Sequence, residues 1–228
     1  MITNFFPLSV YKEKLGLDKE ARDKMAAVVL QQSEETTSGN AHRISTWTGD
    51  VHGRATLHLR DEFAPLVAGL HRHMVTFLTQ LGHKTDAIDL YITRCWGTVS
   101  VAQQAVATHN HRNSALSIVY YLSLPEGSAS LAFHNREIQN EISPGFAHPD
   151  RVRSGKVDPR NPLSVMIASI AAEEDDILIF PSAAFHGVNP GRQSQPRISI
   201  AADTLIVENE LSGEEYLLPP LATWKKMP

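Results

Sequence analysis

The sequence has a single cysteine, Cys95, among 228 residues. An intramolecular disulfide is therefore excluded, and a structural zinc site would need other ligands. Cys95 lies in an apolar run, which is typical of a buried, unreactive thiol. No apolar run approaches the roughly 18 residues of a transmembrane helix, and residues 1–10 are too short and too polar for a signal peptide. We therefore expect a cytoplasmic protein with no membrane partner.

A basic stripe is also missing. The chain carries 21 basic and 25 acidic residues, for a formal net charge of −4. General nucleic-acid binders concentrate lysine and arginine on one face, so we expect no nucleic-acid partner. A local pocket for an anionic substrate is still compatible with this balance. A hydrophobic content of 42% is enough for one large core. The sequence is also compatible with a homodimer.

The order of patterns predicts a single domain over residues 1–228, built of three parts. Residues 1–86 form an N-terminal arm and helical support, with one helix from a cap at Asp18 to about residue 32 and a stronger one over 60–81. Pro65 fits only the first turn of the second helix, which places the start of that helix near Asp61 or Glu62, and Gly82 ends it. Residues 87–207 form a β-barrel core, and residues 208–228 an irregular tail. We expect strands at residues 88–96, 101–107, 114–124, 130–133, 163–170, 176–181, around His186, and at 197–207.

About eight short strands with no helix between them favour a mainly β, antiparallel jelly roll with N-terminal α-helices. Residues 134–162 are polar and too long for a simple connection. Loops of this length often cover a site, so we interpret the segment as a lid.

Two histidines on an extended segment indicate a metal site. His109 and His111 are two residues apart, and on a strand this spacing points both imidazoles to one side. A third, His186, lies 75 residues after His111 on another predicted strand. Imidazole suits Fe, Zn, Cu and Ni, so the ligand type alone does not choose the metal. His71 and His73 have the same spacing on a helix, where they lie about 200° apart and cannot share an ion.

Arg197 points to an anionic ligand. It lies 11 residues after His186, inside a predicted strand, with Ser199 on the same strand face. An arginine in a strand interior needs an anionic partner, and its planar fork matches a carboxylate. Together with three candidate metal ligands upstream, it favours a bound dicarboxylate.

The order of these motifs resembles the 2-oxoglutarate/Fe(II)-dependent oxygenases of the prolyl-hydroxylase type, over about residues 91–207. The sequence is more narrowly similar to a bacterial subgroup with an H-x-H motif, although Arg112 and Ile118 replace that subgroup's proline and glycine. The matching segments are Phe6-Pro7-Leu8-Ser9-Val10-Tyr11, His109-Asn110-His111, Tyr120-Tyr121-Leu122, Leu131-Ala132-Phe133, Ile177-Leu178-Ile179-Phe180-Pro181, His186 and Arg197-Ile198-Ser199.

The resemblance implies a double-stranded β-helix (a jelly-roll or cupin-like barrel) that uses Fe(II), 2-oxoglutarate and O₂. It implies that His109 and His186 bind the metal and that Arg197 holds the far carboxylate of 2-oxoglutarate. Ser199 is the usual companion of that arginine, and the Tyr121 hydroxyl can reach the same carboxylate. The expected activity is that of a dioxygenase hydroxylating a small molecule or amino-acid-like substrate, with desaturation, halogenation and cyclisation as alternatives. No catalytic side chain beyond the metal ligands is implied.

His111 departs from the family pattern, because the wider family has a carboxylate ligand at this position. Three interpretations stay open. His111 completes a three-histidine site; the third position is functionally vacant, as in the related halogenases; or His111 is the first ligand and Asn113 takes the third place. The spacing from His109 to the Tyr120-Tyr121-Leu122 strand favours the first.

Candidate substrate contacts are Trp96, Arg94, Arg112 and His134, with residues 134–162 as the lid. Two other functions remain open. One is a three-histidine cupin-type dioxygenase that does not use 2-oxoglutarate, against which the pair Arg197 and Ser199 argues. The other is a non-catalytic ligand-binding barrel, because a fold alone does not determine function.

Overall fold

The computed structural model describes residues 1–36, 46–47, 54–135, 143, 145–146, 148–161, 163–211, 213 and 217–227. Within these residues the chain is mostly β, with two antiparallel sheets and few helices, as predicted. The helices are α1 (Lys19–Thr36), α2 (Ala64–Gln80) and α3 (Pro149–Arg153). The strands are β1 (Tyr11–Lys14), β2 (Thr46–Trp47), β3 (Ile88–Ser100), β4 (Val106–His109), β5 (Leu116–Ser123), β6 (Leu131–His134), β7 (Ile167–Ile170), β8 (Asp176–Pro181), β9 (His186–Val188) and β10 (Arg197–Glu208).

The two sheets pack face to face around an apolar layer. The six-stranded sheet has the order β1-β8-β5-β10-β3-β2, and the four-stranded sheet has the order β4-β9-β6-β7. Tyr121 and Phe180 of the larger sheet pack in one buried cluster with Leu131, Phe133 and Val188 of the smaller one. The space between the sheets is therefore the place where strands from both halves of the barrel can bring side chains together.

The two faces of strand β10 have different surroundings. It pairs with β3 on one side and β5 on the other. Ile198 and Ile200 belong to the core cluster that also contains apolar residues of α1 and α2. Arg197 and Ser199 alternate with them and line a cavity on the opposite face. Because side chains alternate along a strand, the helices cover one face and the site occupies the other.

Helix α1 begins where the sequence predicts. Asp18 Oδ1 accepts a hydrogen bond from the Ala21 amide at 2.8 Å, which satisfies one of the free N–H groups of the first turn. The helix continues to Thr36, four residues beyond the predicted end at residue 32.

Helix α2 has a two-step start. A 3-10 turn at Asp61–Phe63 leads into the α-helix at Ala64, with Pro65 in the first turn. The prediction of a start near residue 61 is therefore right for the turn and three residues early for the α-helix, since the ring of Pro65 fits only where no intrahelical N–H is needed. Gly82 follows the end of the helix with φ +90°, a conformation that glycine adopts without strain.

The histidines of α2 lie on different sides of the helix, as the helical spacing predicts. His73 is buried, and its Nδ1 lies 2.8 Å from the Tyr11 hydroxyl of β1. His71 is exposed. The buried histidine therefore attaches the N-terminal arm to α2.

The lone thiol lies in the helix-covered core. Cys95 on β3 is fully buried, and burial raises its pKa to about 12. The predicted buried thiol is confirmed, because a group that stays protonated far above neutral pH is a poor nucleophile.

The lid segment is only partly described: residues 136–142, 144, 147 and 162 lie outside the described residues. The described part contains the short helix α3, which the sequence reading missed. Its five residues are too few to show a helical period. None of the helices that the structure describes is long and apolar enough to cross a membrane.

Gly97 provides a test of how α1 packs on the sheet. A Cβ added at Gly97 would lie 2.4 Å from Val29 Cγ1. Val29 is β-branched and stiff in a helix, so we expect the clash in Gly97→Ala to destabilise the fold by about 1–3 kcal/mol. Alanine also restricts the unfolded chain more than glycine does, which offsets about 0.4–1 kcal/mol of this loss. Urea unfolding measures the loss. Adding Val29→Ala should recover part of it, and strictly additive losses would show that the two residues do not clash.

Candidate active site

Three histidine side chains converge on the cavity between the sheets. His109 ends β4 and is the register partner of His186, which begins β9. His111 lies two residues after β4, where its amide donates to the Ser182 carbonyl at 2.9 Å. One ring nitrogen of each histidine lies within 4.8 Å of the others, a grouping that could hold a metal ion. The two imidazoles of the H-x-H pair lie close together, with ring centroids 5.0 Å apart.

Backbone carbonyls set the tautomers of two of the rings. His109 Nδ1 lies 2.7 Å from the Ala107 carbonyl, and His186 Nδ1 lies 2.9 Å from the Ala184 carbonyl. A carbonyl only accepts hydrogen bonds, so each Nδ1 carries the proton. In the neutral ring, the lone pair that a metal requires is then on Nε2.

His186 is held neutral by its surroundings. Only 5% of its surface is exposed, and burial lowers its pKa to about 4. At pH 7 its Nε2 is therefore unprotonated and able to act as a metal ligand.

The third ring is oriented by a carboxylate. His111 Nδ1 donates to Asp203 Oδ1 on β10. His111 Nε2 is buried and has no hydrogen-bond partner among the described residues. The ring thus presents its Nε2 to the same cavity, with a donor on Nδ1 like the other two.

Asp203 is a residue that the sequence reading missed. It is 1% exposed, and its second oxygen lies 3.5 Å from Arg94 Nη1. A signal existed, since Asp203 is separated from Arg197 and Ser199 by even steps and therefore falls on the cavity face of β10.

Arg197 is a buried cation beside the histidines. It is 2% exposed and forms no ion pair within the part of the chain that the structure describes, where its Nε also has no hydrogen-bond partner. Ser199 is the register partner of Tyr121 on β5, and the Arg197 guanidinium lies 5.2 Å from the centre of the Tyr121 ring. Burial raises the pKa of the Tyr121 hydroxyl, and the arginine partly offsets that rise. The hydroxyl oxygen is buried and likewise has no hydrogen-bond partner among the described residues.

These buried polar atoms fit both predicted ligands. A buried donor without a partner costs free energy, so Arg197 and Tyr121 suit a carboxylate that would pair with them. The Nε2 atoms suit a metal such as iron, zinc or nickel. Both sets line or border one cavity, whose apolar walls include Val106, Val119, Leu131 and Val188.

The four candidate substrate contacts lie in different surroundings. Trp96 lines the cavity, and its ring stacks on His111 with centroids 5.9 Å apart. Arg94 lies over the Trp96 ring at 4.8 Å and pairs with Asp203. Arg112 is exposed, and His134 Nε2 lies 3.1 Å from the Thr108 hydroxyl. Their contact with a substrate stays a prediction.

The alternative ligand set places Asn113 in the third position. Asn113 is exposed, whereas His109, His111 and His186 form the group that could hold a metal. The geometry thus favours the set with His109 as first ligand.

Comparison with known proteins supports this chemistry. Residues 94–203 match the model of the family described as "Putative 2OG-Fe(II) oxygenase". Over these residues, just under half of the chain, the sequence is similar to that family. The match contains all three histidines, Arg197 and Asp203, and the family's name states its two cofactors, Fe(II) and 2-oxoglutarate. No curated protein sequence is significantly similar to this chain.

Solved structures show the same fold at low sequence identity. HygX from Streptomyces hygroscopicus, with nickel and 2-oxoglutarate bound, superposes with a TM-score of 0.52 at 11% identity, covering 93% of this chain and 92% of HygX. The epimerase SnoN from nogalamycin biosynthesis has a TM-score of 0.52 at 13% identity, with 87% and 78% covered. A Pseudomonas putida prolyl-4-hydroxylase has 0.50 at 12%, with 86% of each chain covered. The predicted double-stranded β-helix with N-terminal helices is confirmed.

Proposed function

We propose that this protein is a 2-oxoglutarate- and Fe(II)-dependent oxygenase that hydroxylates a small molecule or amino-acid-like substrate, with Fe(II) on His109, His111 and His186. Arg197 binds the far carboxylate of 2-oxoglutarate, with Ser199 beside it and Tyr121 within reach. The observation that carries the proposal is one cavity that holds both a cluster of three ring nitrogens and a buried arginine without an ion pair among the described residues.

Each residue has a defined task. The carbonyls behind His109 and His186 and the carboxylate behind His111 hold the three rings with Nε2 towards the metal. Arg197 orients the co-substrate through charge-assisted hydrogen bonds in a setting from which the apolar walls exclude water. When bound, Fe(II) and 2-oxoglutarate supply the O₂ chemistry, in which the co-substrate is oxidised to succinate and CO₂.

Substrate and outcome are the open part of the proposal. A relative by fold is a prolyl-4-hydroxylase and another is an epimerase, so peptide hydroxylation and epimerisation are alternatives to small-molecule hydroxylation. The one-domain organisation, the cytoplasmic location and a homodimer likewise stay predictions. So does the lid role of residues 134–162.

A second candidate follows from the histidine at the carboxylate position. A three-histidine dioxygenase that needs no 2-oxoglutarate would use the same metal cluster. In that reaction Arg197 would have no carboxylate to bind, although burying an arginine costs free energy. We therefore prefer the 2-oxoglutarate-dependent reaction.

Anaerobic titration tests the proposal. We expect Fe(II) plus 2-oxoglutarate, but neither alone, to give a metal-to-ligand charge-transfer absorption band, and air to release succinate slowly even without substrate. A protein that binds Fe(II) but gives no band and no succinate would favour the second candidate. A protein that binds no Fe(II) would contradict both and leave a non-catalytic binding barrel.

A further inference from the structure

We propose that Asp203 supplies to the metal, through His111, the negative charge that a direct carboxylate ligand would otherwise provide. The inference rests on the proposed function, because it needs His111 to bind the metal. Three neutral imidazoles leave the whole 2+ charge of Fe(II) uncompensated by the protein. A carboxylate that accepts from Nδ1–H makes the imidazole a stronger, more anionic ligand.

The geometry of Asp203 is suited to this role. His111 Nδ1 donates to its Oδ1, and His111 Nε2 has no hydrogen-bond partner among the described residues. The carboxylate, the ring and the metal position are thus arranged in series. His109 Nδ1 and His186 Nδ1 donate to neutral backbone carbonyls, whereas His111 Nδ1 donates to a carboxylate.

The backbone is shaped to place this carboxylate. The pairing of β10 with β3 shifts register between Asp203 and Thr204, and the Thr93 hydroxyl donates to the Asp203 carbonyl at 3.2 Å within this irregularity. Thr93 of β3 is the residue without a register partner, whereas β10 pairs regularly with β5 from Ser199 to Asp203. Regular alternation along β10 therefore keeps Asp203 on the face of Arg197 and Ser199.

The charge of Asp203 is kept at a cost. A buried carboxylate loses its hydration, and its ion pair with Arg94 at 3.5 Å involves an arginine side chain that is 31% exposed. A merely structural acceptor for His111 could be a neutral amide or carbonyl, as it is for the other two rings. A purely structural role does not explain why the acceptor for His111 is a buried anion.

Metal affinity tests the inference independently of turnover. We expect Asp203→Asn, which keeps the shape and an acceptor oxygen but loses the charge, to bind Co(II) about 10- to 100-fold more weakly in calorimetric titration. Asp176→Asn is the matched control, because Asp176 is also buried but pairs with Lys12 and Lys14, and it should bind like the wild type.

A second background separates charge from shape. In His111→Asp, a carboxylate is available to the metal directly. Adding Asp203→Asn to this variant should therefore change Co(II) affinity by less than about 3-fold, whereas the same change in the wild type should lower it about 10- to 100-fold. Equal losses in both backgrounds would overturn the inference, as would wild-type affinity of Asp203→Asn. Failure of the wild type to bind Co(II) would instead overturn the proposed function, and the inference with it.

The wild-type protein offers a measurement that needs no variant to fold. In the Zn(II)-loaded protein, NMR of ¹⁵N-labelled histidine should show three protonated Nδ1 atoms, one with its proton well downfield of the other two. That proton belongs to the donor facing a carboxylate. Three similar Nδ1–H resonances would contradict an ionised Asp203 behind His111.

Discussion

His186→Ala is expected to abolish metal binding and succinate formation together. His186 is the most buried of the three histidines, and its Nδ1 bond to Ala184 leaves Nε2 for the metal. Loss of the group that accepts a hydrogen bond from a metal-ligating histidine lowers metal affinity about 10- to 100-fold. Loss of the ligand itself should therefore lower it more than about 100-fold. Fe(II) titration under nitrogen, followed by succinate release in air, measures both effects.

His71→Ala is the control for this change. His71 is exposed on α2, so its removal should leave metal affinity and turnover at wild-type values. Near-normal Fe(II) binding by His186→Ala would place the metal elsewhere. The same titration on His111→Ala decides the third ligand, because full activity in that variant would make the three-histidine assignment wrong.

The grouping of the three histidines could be predicted in part, because the direction of a side chain on a strand follows from its spacing in the sequence. His109 and His111 share a side only on extended backbone, and the β-rich pattern around them predicts that backbone. His71 and His73 carry the same letters on a helix, where one is buried and the other exposed. The partner strand of His186 could not be read from spacing, since pairing across 77 residues depends on tertiary structure.

Asp203 shows that alternation along one strand does not predict contacts with distant segments. Alternation along β10 puts it on the face of Arg197, but the same alternation also applies to residues that touch nothing of interest. Its contact with His111 depends on where the fold places a segment 92 residues earlier in the chain. One sequence carries no signal for that placement, so the residue that hydrogen-bonds a predicted ligand becomes visible only in the fold.

Element boundaries failed where local signals compete with packing. The predicted strand at 163–170 begins only at Ile167, and the strand predicted at 101–107 is observed only as β4, from Val106 to His109. The strand predicted at 88–96 continues to Ser100 along β10. Gly97 lies inside that strand, where a lone glycine suggests a break. Its missing side chain instead makes room for Val29 of α1.

Replacement of Arg197 by glutamine is expected to remove co-substrate binding while leaving the metal in place. Truncating one side of a buried charged pair costs about 2–5 kcal/mol, which corresponds to a roughly 30-fold or larger rise in the dissociation constant of 2-oxoglutarate. Because the arginine holds the carboxylate far from the reacting atoms, KM should rise far more than kcat falls. The Fe(II) affinity without 2-oxoglutarate should stay within about 2-fold of wild type, since Arg197 is not one of the predicted metal ligands.

Co-substrate discrimination gives this prediction its sharpest control. The wild type should prefer 2-oxoglutarate over 2-oxovalerate, which lacks the far carboxylate, whereas Arg197→Gln should lose that preference. Arg197→Lys keeps the charge but not the planar fork and should fall between them. The glutamine variant should be at least as stable as the wild type, because it no longer buries a cation that lacks an ion pair among the described residues. An unchanged preference would show that Arg197 does not bind the carboxylate, and a large loss of stability would show that it serves the fold instead.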